Sequence, residues 1–330
     1  MDIKKKNFLY IIEGYTGFKK LDEEIFRSLA NVRTYNYKSS SDYLSLNILT
    51  DMIWSDIIII WFASKHAIPA LLFNLIIKKP VVIIAGGFDV ASLPNINYGA
   101  MRKGSRKKIG NWILSKASKV VSVSYSNYKE IVKNTRVEKS QIKLIYNAVP
   151  NIKIVKSEKK KQVLSVGEIN KETFLRKGLD RFILLAKSML DIEFLHVGKW
   201  TNNKGKPDQT FFNYVKSISP KNIEYLGFLK DDELANYYSR SKVYIQLSRH
   251  EAFGVSVVEA LAYNCIPVVS NVYSLPEIVF KNGFIVNNMS EALNKTKLAL
   301  EIDSFEVNKE YLNRFSIENR KRSFKKILLK

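Results

Sequence analysis

Ser248-Arg249-His250-Glu251-Ala252-Phe253-Gly254-Val255-Ser256-Val257-Val258-Glu259-Ala260-Leu261-Ala262, with Pro267-Val268-Val269-Ser270 and Pro276-Glu277 after it, decides how this chain is read. Two carboxylates, Glu251 and Glu259, flank a Phe253-Gly254 pair that opens an amphipathic helix. The first turn of a helix presents unpaired N–H groups and the positive end of the macrodipole, a natural seat for phosphate. Gly254 lets an anion approach the backbone with no Cβ in the way. Glu259 lies roughly 7–8 Å farther along the axis, at about 1.5 Å per residue. That offset suits a carboxylate holding ribose hydroxyls while a diphosphate sits on the helix tip. Glu251 would face the group beyond the phosphates. The pattern suggests a nucleotide-sugar site, although Val255, Val258, Leu261 and Ala262 have the spacing of any helix packed on a sheet.

These residues resemble the signature of the retaining glycosyltransferases of family 4, the glycosyl transferases group 1. That signature is Glu, seven residues, Glu, as in Glu251-x7-Glu259, here with Cys265, Pro267-Val268-Val269 and Pro276-Glu277 following in register. The resemblance implies two Rossmann-like doubly wound domains facing across a cleft, an architecture named GT-B. It also implies a reaction that needs no cofactor and no metal.

The chain of 330 residues is long for one core and comfortable for two domains. A hydrophobic content of 46% excludes global disorder. The single cysteine, Cys265, excludes a disulfide scaffold, and three scattered histidines make a zinc site improbable. The apolar run Phe8–Ile12 is too short for a secretory signal, and Asp56–Ala63 and Ala67–Ile77 fall below the roughly 20 residues that span a bilayer. A soluble, cytoplasmic chain is expected. The net charge of +22 is spread over both halves, with a local knot at Arg102, Lys103, Arg106, Lys107 and Lys108. Such a field draws polyanions, and peripheral contact with an anionic membrane is one outcome. A lysine-rich solvated surface is the other. No nucleic-acid module accompanies the charge, so no specific nucleic acid is expected.

Apolar β-branched runs alternate with helical segments from end to end, which indicates βαβ units and α/β parallel sheets covered on both faces. Expected strands in the first set are 8–12, 34–37, 56–61, 81–85, 120–123 and 142–146, with helices over 19–29, 67–77, 100–116 and 126–133. A charged linker over 151–161 separates them from a second set. Its strands are expected at 163–166, 192–197, 223–226, 243–247, 267–270 and 283–286. Its helices are expected at 177–190, 209–217, 232–241, 253–262 and 291–302. The expected domains are therefore 1–150 for the acceptor and 162–307 for the nucleotide sugar. An amphipathic tail helix over 308–330 is expected to pack back on the first domain.

Further candidates follow from the resemblance. Lys177-Gly178 matches the family's Lys-Gly, whose lysine contacts the donor diphosphate. Glu168 stands where the family has arginine, and Arg176 is the neighbour that could supply the missing charge. Phe253, Gly254 and Val255 complete the donor loop. In the first domain, Glu13-Gly14-Tyr15-Thr16-Gly17 is a weak form of the family's glycine-rich donor loop, and Asn147-Ala148-Val149 resembles its hinge. Asp89, in Gly86-Gly87-Phe88-Asp89, either orients a hydroxyl or caps its own loop. His66 follows the third strand and would edge the cleft, while His250 reads as an exposed loop histidine.

The expected partners are a nucleoside diphosphate sugar and a hydroxyl acceptor of a glycan or lipid-linked kind. The expected catalytic set is Glu251, Lys177 and Asp89. Three rival readings stand beside it: an epimerase on the same architecture, a nucleotide-sugar-binding protein that has lost turnover, and a charge-driven surface binder.

Overall fold

The computed structural model describes residues 6–38, 42, 46–150, 158–202 and 205–329. The chain divides into two compact units, Met1–Pro150 with Phe315–Lys330, and Asn151–Arg314. Positions 151–157 of the expected linker lie outside the described residues.

The first unit holds strands β1 (Asn7–Glu13), β2 (Asn31–Tyr37), β3 (Ile57–Trp61), β4 (Val81–Ala85), β5 (Lys119–Ser122) and β6 (Ile142–Leu144). Between them run α1 (Gly17–Leu29), α2 (Asn47–Trp54), α3 (Ile68–Ile77), α4 (Ser105–Ser115) and α5 (Tyr125–Asn134). The strand order is β2-β1-β3-β4-β5-β6, with parallel pairing throughout. Strands β3 and β4 read Ile-Ile-Ile-Ile-Trp and Val-Val-Ile-Ile-Ala and are buried at every position. Such continuous runs are what a sheet with helices on both faces requires. One face packs against Ile48 and Met52 of α2, Ala70 and Leu71 of α3, Ile113 and Leu114 of α4, and Ile131 of α5.

The second unit holds β7 (Lys160–Val166), β8 (Glu193–Val197), β9 (Ile223–Gly227), β10 (Ser241–Gln246), β11 (Ile266–Ser270) and β12 (Phe284–Val286). Its helices are α6 (Lys171–Arg176), α7 (Leu179–Lys187), α8 (Gln209–Ile218), α9 (Asp231–Arg240), α10 (Val255–Ala262), α11 (Leu275–Val279), α12 (Met289–Glu301) and α13 (Lys309–Asn313). The parallel order β12-β11-β10-β7-β8-β9 reverses direction between β10 and β7. Chain connections leave this point on opposite sides, opening a crevice beyond the carboxyl ends of the two strands.

Several expected boundaries move, each for a local reason. The helix expected over 177–190 is α7, which starts at Leu179 behind Gly178 at φ +74°, and the short α6 before it was not expected. Lys160 and Lys161 already belong to β7, and Lys159 is no solvated linker residue. Its ammonium donates to the carbonyls of Tyr238, Ser241 and Tyr263 at 3.0, 2.9 and 2.7 Å. The tail begins later than position 308, since the Tyr311 hydroxyl donates to the Ile278 carbonyl (2.7 Å) and keeps α13 in the second unit.

The last helix, α14 (Ile317–Leu328), belongs to the first unit. Arg320 is buried and makes a two-pronged ion pair with Asp22 of α1, at 2.5 and 2.7 Å. The Trp61 indole N–H also donates to Asp22 (2.8 Å), and Arg320 donates to the Ile145 and Tyr146 carbonyls at 3.1 and 2.6 Å. With both Asp22 oxygens and each guanidinium nitrogen engaged, the desolvation of both charges is offset. Phe324 meets Phe26 edge to face at 4.9 Å and completes the seam.

Candidate functional site

The reversal between β7 and β10 brings two of the singled-out loops together: 167–178 after β7, and 247–254 after β10. Residues between Glu168 and Lys177 form α6, which Asn170 caps by accepting the Glu172 and Thr173 amides at 3.0 and 2.8 Å. That capped turn absorbs the longer spacer and returns Lys177 over the end of β7. An ideal Cβ on Gly167 would lie 3.1 Å from the Lys177 Cδ and 3.3 Å from its Nζ. Gly178 is obligatory at its place: a Cβ there would stand 2.0 Å from the Leu247 carbonyl oxygen, in a backbone region hostile to L side chains.

Arg249 fastens the two loops. Its amide donates to the Arg176 carbonyl at 2.7 Å, its guanidinium reaches the Leu175 carbonyl at 2.5 Å, and two bonds of 2.8 and 2.7 Å join it to Asp180. Burial holds the Lys177 ammonium below the usual lysine range, opposed first by the pull of Glu251 and then by Glu168. Among the described residues no acceptor takes this ammonium. An enclosed cation with acids near it and no hydrogen-bond partner is poised to receive an anion.

Gly254 caps α10 with φ +96°. A Cβ there would meet Leu275, Glu251 and Val257 at ordinary contact distances of 3.4–3.5 Å, so the backbone conformation, more than crowding, calls for glycine. The helix starts at Val255, later than its expected start at Phe253, because Phe253 is buried as an anchor beneath the loop. Its ring therefore supports the loop instead of lining it. The amides of Val255 and Ser256 head the helix, while those of Val257 and Val258 are already turned onto the Gly254 carbonyl. Buried Ser274 holds the loop from behind: its hydroxyl lies 2.7 Å from the Glu251 carbonyl and 2.8 Å from that of Phe253.

The two carboxylates differ in setting. Glu251 accepts from the Gln246 amide at 3.1 Å, and Gln246 is itself oriented by the Tyr244 hydroxyl (2.8 Å). Glu259 accepts from the Tyr238 hydroxyl at 2.9 Å, and burial pushes its carboxyl up to about 7. His196 lies under the same crevice, held near 4 by burial and therefore neutral. Its Nε2 must carry the proton, since it faces the Gly167 carbonyl at 3.1 Å. Glu168 is exposed, and its carboxylate takes the Thr201 hydroxyl.

Gln246, Ser274, Tyr238, Arg249 and His196 thus shape the site without having been singled out as ligand contacts. Arg249 sits inside the deciding stretch, yet its partners Leu175 and Asp180 are far away in sequence, whereas Ser274 reaches back to Glu251 and Phe253 of the stretch itself. His250 is fully buried, against expectation, because Tyr273 adopts φ +47° and lays its ring 4.3 Å from the imidazole.

The first-unit candidates are placed differently. Both Asp89 oxygens are committed to backbone amides, one to Ala63 (3.0 Å) and the other to Gly86 (3.1 Å) and Gly87 (2.9 Å). With 1% of its surface exposed, Asp89 braces the loops after β3 and β4, which corrects its expected catalytic place. Burial lifts its carboxyl to about 6 against the pull of those amides. His66 is also buried, its Nδ1 2.7 Å from the Ser64 hydroxyl and 3.6 Å from Glu13, so it does not present an open ring. Gly14 (φ +65°) ends β1, and its carbonyl and that of Glu13 accept from the Lys19 ammonium at 3.0 and 2.6 Å; Gly17 opens α1. Lys103, Arg106, Lys107 and Lys108 are exposed around the start of α4. Arg102 leaves that group, turned onto the Gly99 carbonyl (3.1 Å) and the Asn97 side chain. No cluster of three or more metal-type side chains occurs among the described residues.

A family model described as "Glycosyl transferases group 1" matches residues 151–322, a little over half of the chain. An uncharacterized 41.2 kDa protein in the cps region of Klebsiella pneumoniae is 29% identical over 182 residues, covering 51% of this chain and 47% of that protein. The O-antigen chain mannosyltransferase B of Escherichia coli is 35% identical over 65 residues, 20% of this chain and 17% of that one. The match thus spans less than half the length of either relative. Among solved structures, Anabaena HepE in complex with UDP and glucose superposes with a TM-score of 0.76 at 13% identity, covering 98% of this chain and 99% of that chain. At that identity the likeness is one of fold: two α/β units, each built on a parallel sheet.

Proposed function

The chain belongs to the glycosyl transferases group 1, and from that premise we propose that it transfers a sugar, with retention, from a nucleoside diphosphate to an acceptor hydroxyl. One observation carries the reading. At the topological reversal of the second sheet, the Lys177 ammonium has no hydrogen-bond acceptor among the described residues and lies in the field of Glu251, which precedes the start of α10, the helix that carries Glu259.

The chemistry follows from those groups. The bond from the anomeric carbon to the diphosphate oxygen breaks, and its electron pair leaves with the nucleotide. Lys177, assisted by the positive field of Arg176 and the Val255 and Ser256 amides, meets the charge that develops there. The acceptor oxygen bonds to the same carbon, and its proton passes to the departing phosphate. Glu251 holds hydroxyls of the donor sugar and Glu259 those of the ribose. No metal is invoked, and Glu251 is not assigned as a base. The UDP bound to HepE and the mannosyltransferase named among the relatives support a nucleotide sugar and an acceptor in polysaccharide or glycoconjugate synthesis.

Glu168 favours a second reading, a nucleotide-sugar-binding protein with little turnover, since it puts an acid where the family has a cation. A thermal-shift panel of UDP, GDP, ADP and their sugars, followed by transfer assays, separates the two. Stabilisation by one diphosphate series together with product formation is expected. Stabilisation without turnover on any acceptor pool selects the second reading, and no stabilisation by any of them rejects both.

A further inference from the structure

We propose that the outer face of α2 and α3 docks on an anionic lipid bilayer, with Leu72, Leu75 and Ile76 entering the interfacial layer. This goes beyond the donor reading and does not depend on it. Helix α3 reads Ile-Pro-Ala-Leu-Leu-Phe-Asn-Leu-Ile-Ile, ten residues without a charge. Ala70 and Leu71 face the sheet and are buried. Leu72, Leu75 and Ile76 fall on the opposite side, at helical spacing, and Ile76 is 84% exposed. Helix α2 packs beside α3 on the same sheet face and turns Ile53, 62% exposed, and Leu46 outward. An apolar strip of this kind on a surface helix costs solvation unless something covers it.

The charge around the strip decides what covers it. Lys65 precedes α3, and Lys78 and Lys79 follow it. On the neighbouring crossover, α4 begins with Arg106, Lys107 and Lys108, all exposed, with no acid in its first turn. Cations at a helix start oppose the dipole, so their cost is relieved by external negative charge. Of the acids nearby, Asp51 is paired with Arg33 (2.9 Å) and Asp56 keeps its charge while accepting the Asn7 amide (2.8 Å), so Lys65, Lys78 and Lys79 outnumber the one acid without a cation. A second copy would set the same cations against these, since a two-fold contact opposes identical patches. An apolar strip edged by lysine fits a bilayer whose headgroups are anionic.

The test uses the full chain and sedimentation with vesicles of phosphatidylcholine, with or without about one third phosphatidylglycerol. Wild type is expected to pellet only with the anionic vesicles. Leu75→Ser with Ile76→Ser should lower partitioning about tenfold or more, while the melting temperature and any UDP-induced shift stay unchanged. Lys107→Glu with Lys108→Glu should weaken binding mainly at low salt. Ile76→Trp should show a blue-shifted emission on anionic vesicles. Equal pelleting by the serine variant, or an unshifted tryptophan, overturns the proposal. A dimer in ultracentrifugation that the serine pair dissolves, without vesicle binding by wild type, also overturns it and assigns the face to a second copy. Retention of the UDP shift in any of these outcomes leaves the donor reading standing.

Discussion

Replacing Glu259 by Gln is expected to stabilise the free protein and weaken nucleotide binding, two effects of opposite sign from one substitution. Burial lifts the Glu259 carboxyl from 4.5 to about 7. The folded state therefore keeps a proton that the unfolded chain releases as pH rises from about 4.5 to 7. Stability from this group is fully present below pH 4.5 and lost as pH climbs through 7. A difference of 4.5 against about 7 corresponds to about 3 kcal/mol by pH 8, at about 1.4 kcal/mol per pH unit. Glutamine retains an acceptor for the Tyr238 hydroxyl and removes the charge. Glu259→Gln should then match wild type at pH 5 and melt roughly 5–10 °C higher at pH 8, with the gain confined to the second unit. The same change deprives a ribose of its carboxylate, so UDP affinity should fall by about 1.5–3 kcal/mol. Scanning calorimetry at both pH values, with and without UDP, reads both quantities. A variant no more stable at pH 8 than at pH 5, relative to wild type, would refute the burial argument; undiminished UDP affinity would refute the ribose role.

Lys177→Ala should lower transfer by about tenfold or more with little change in melting, because the ammonium forms no internal bond to lose; a turnover assay beside a melting curve checks both. Gly178→Ala, with its Cβ 2.0 Å from the Leu247 carbonyl and φ at +74°, should destabilise the second unit by about 2 kcal/mol or more and abolish the UDP shift. Arg320→Ala strands the buried Asp22 carboxylate and should cost the first unit about 3–5 kcal/mol in denaturant unfolding, with the second unit's transition unmoved.

The alternation of apolar runs made both sheets legible, because strands such as β3 and β4 are buried on both faces and carry nothing else. The loop proposed for the donor was legible as a motif because Glu251, Gly254 and Glu259 lie within nine residues of one another, on one loop and the helix it opens. What stayed hidden depends on distant partners. Asp89 could orient a ligand or brace a loop, and only the Ala63 amide, brought in from the loop after β3, decides for the brace. Arg249 resembles any surface arginine until Asp180 and the Leu175 carbonyl are seen beside it. Helix α6 stayed hidden because its Asn170 and Thr173 capping box, and not an apolar period, defines it. Arg320 gave no signal at all, since its partner Asp22 is almost the whole chain away.

A crystal structure with UDP would locate the diphosphate relative to Lys177 and the head of α10. The diphosphate is expected against the Val255 and Ser256 amides with the Lys177 ammonium in hydrogen-bond range, and the ribose hydroxyls on Glu259. UDP bound elsewhere, with Lys177 and the head of α10 untouched, would contradict that placement.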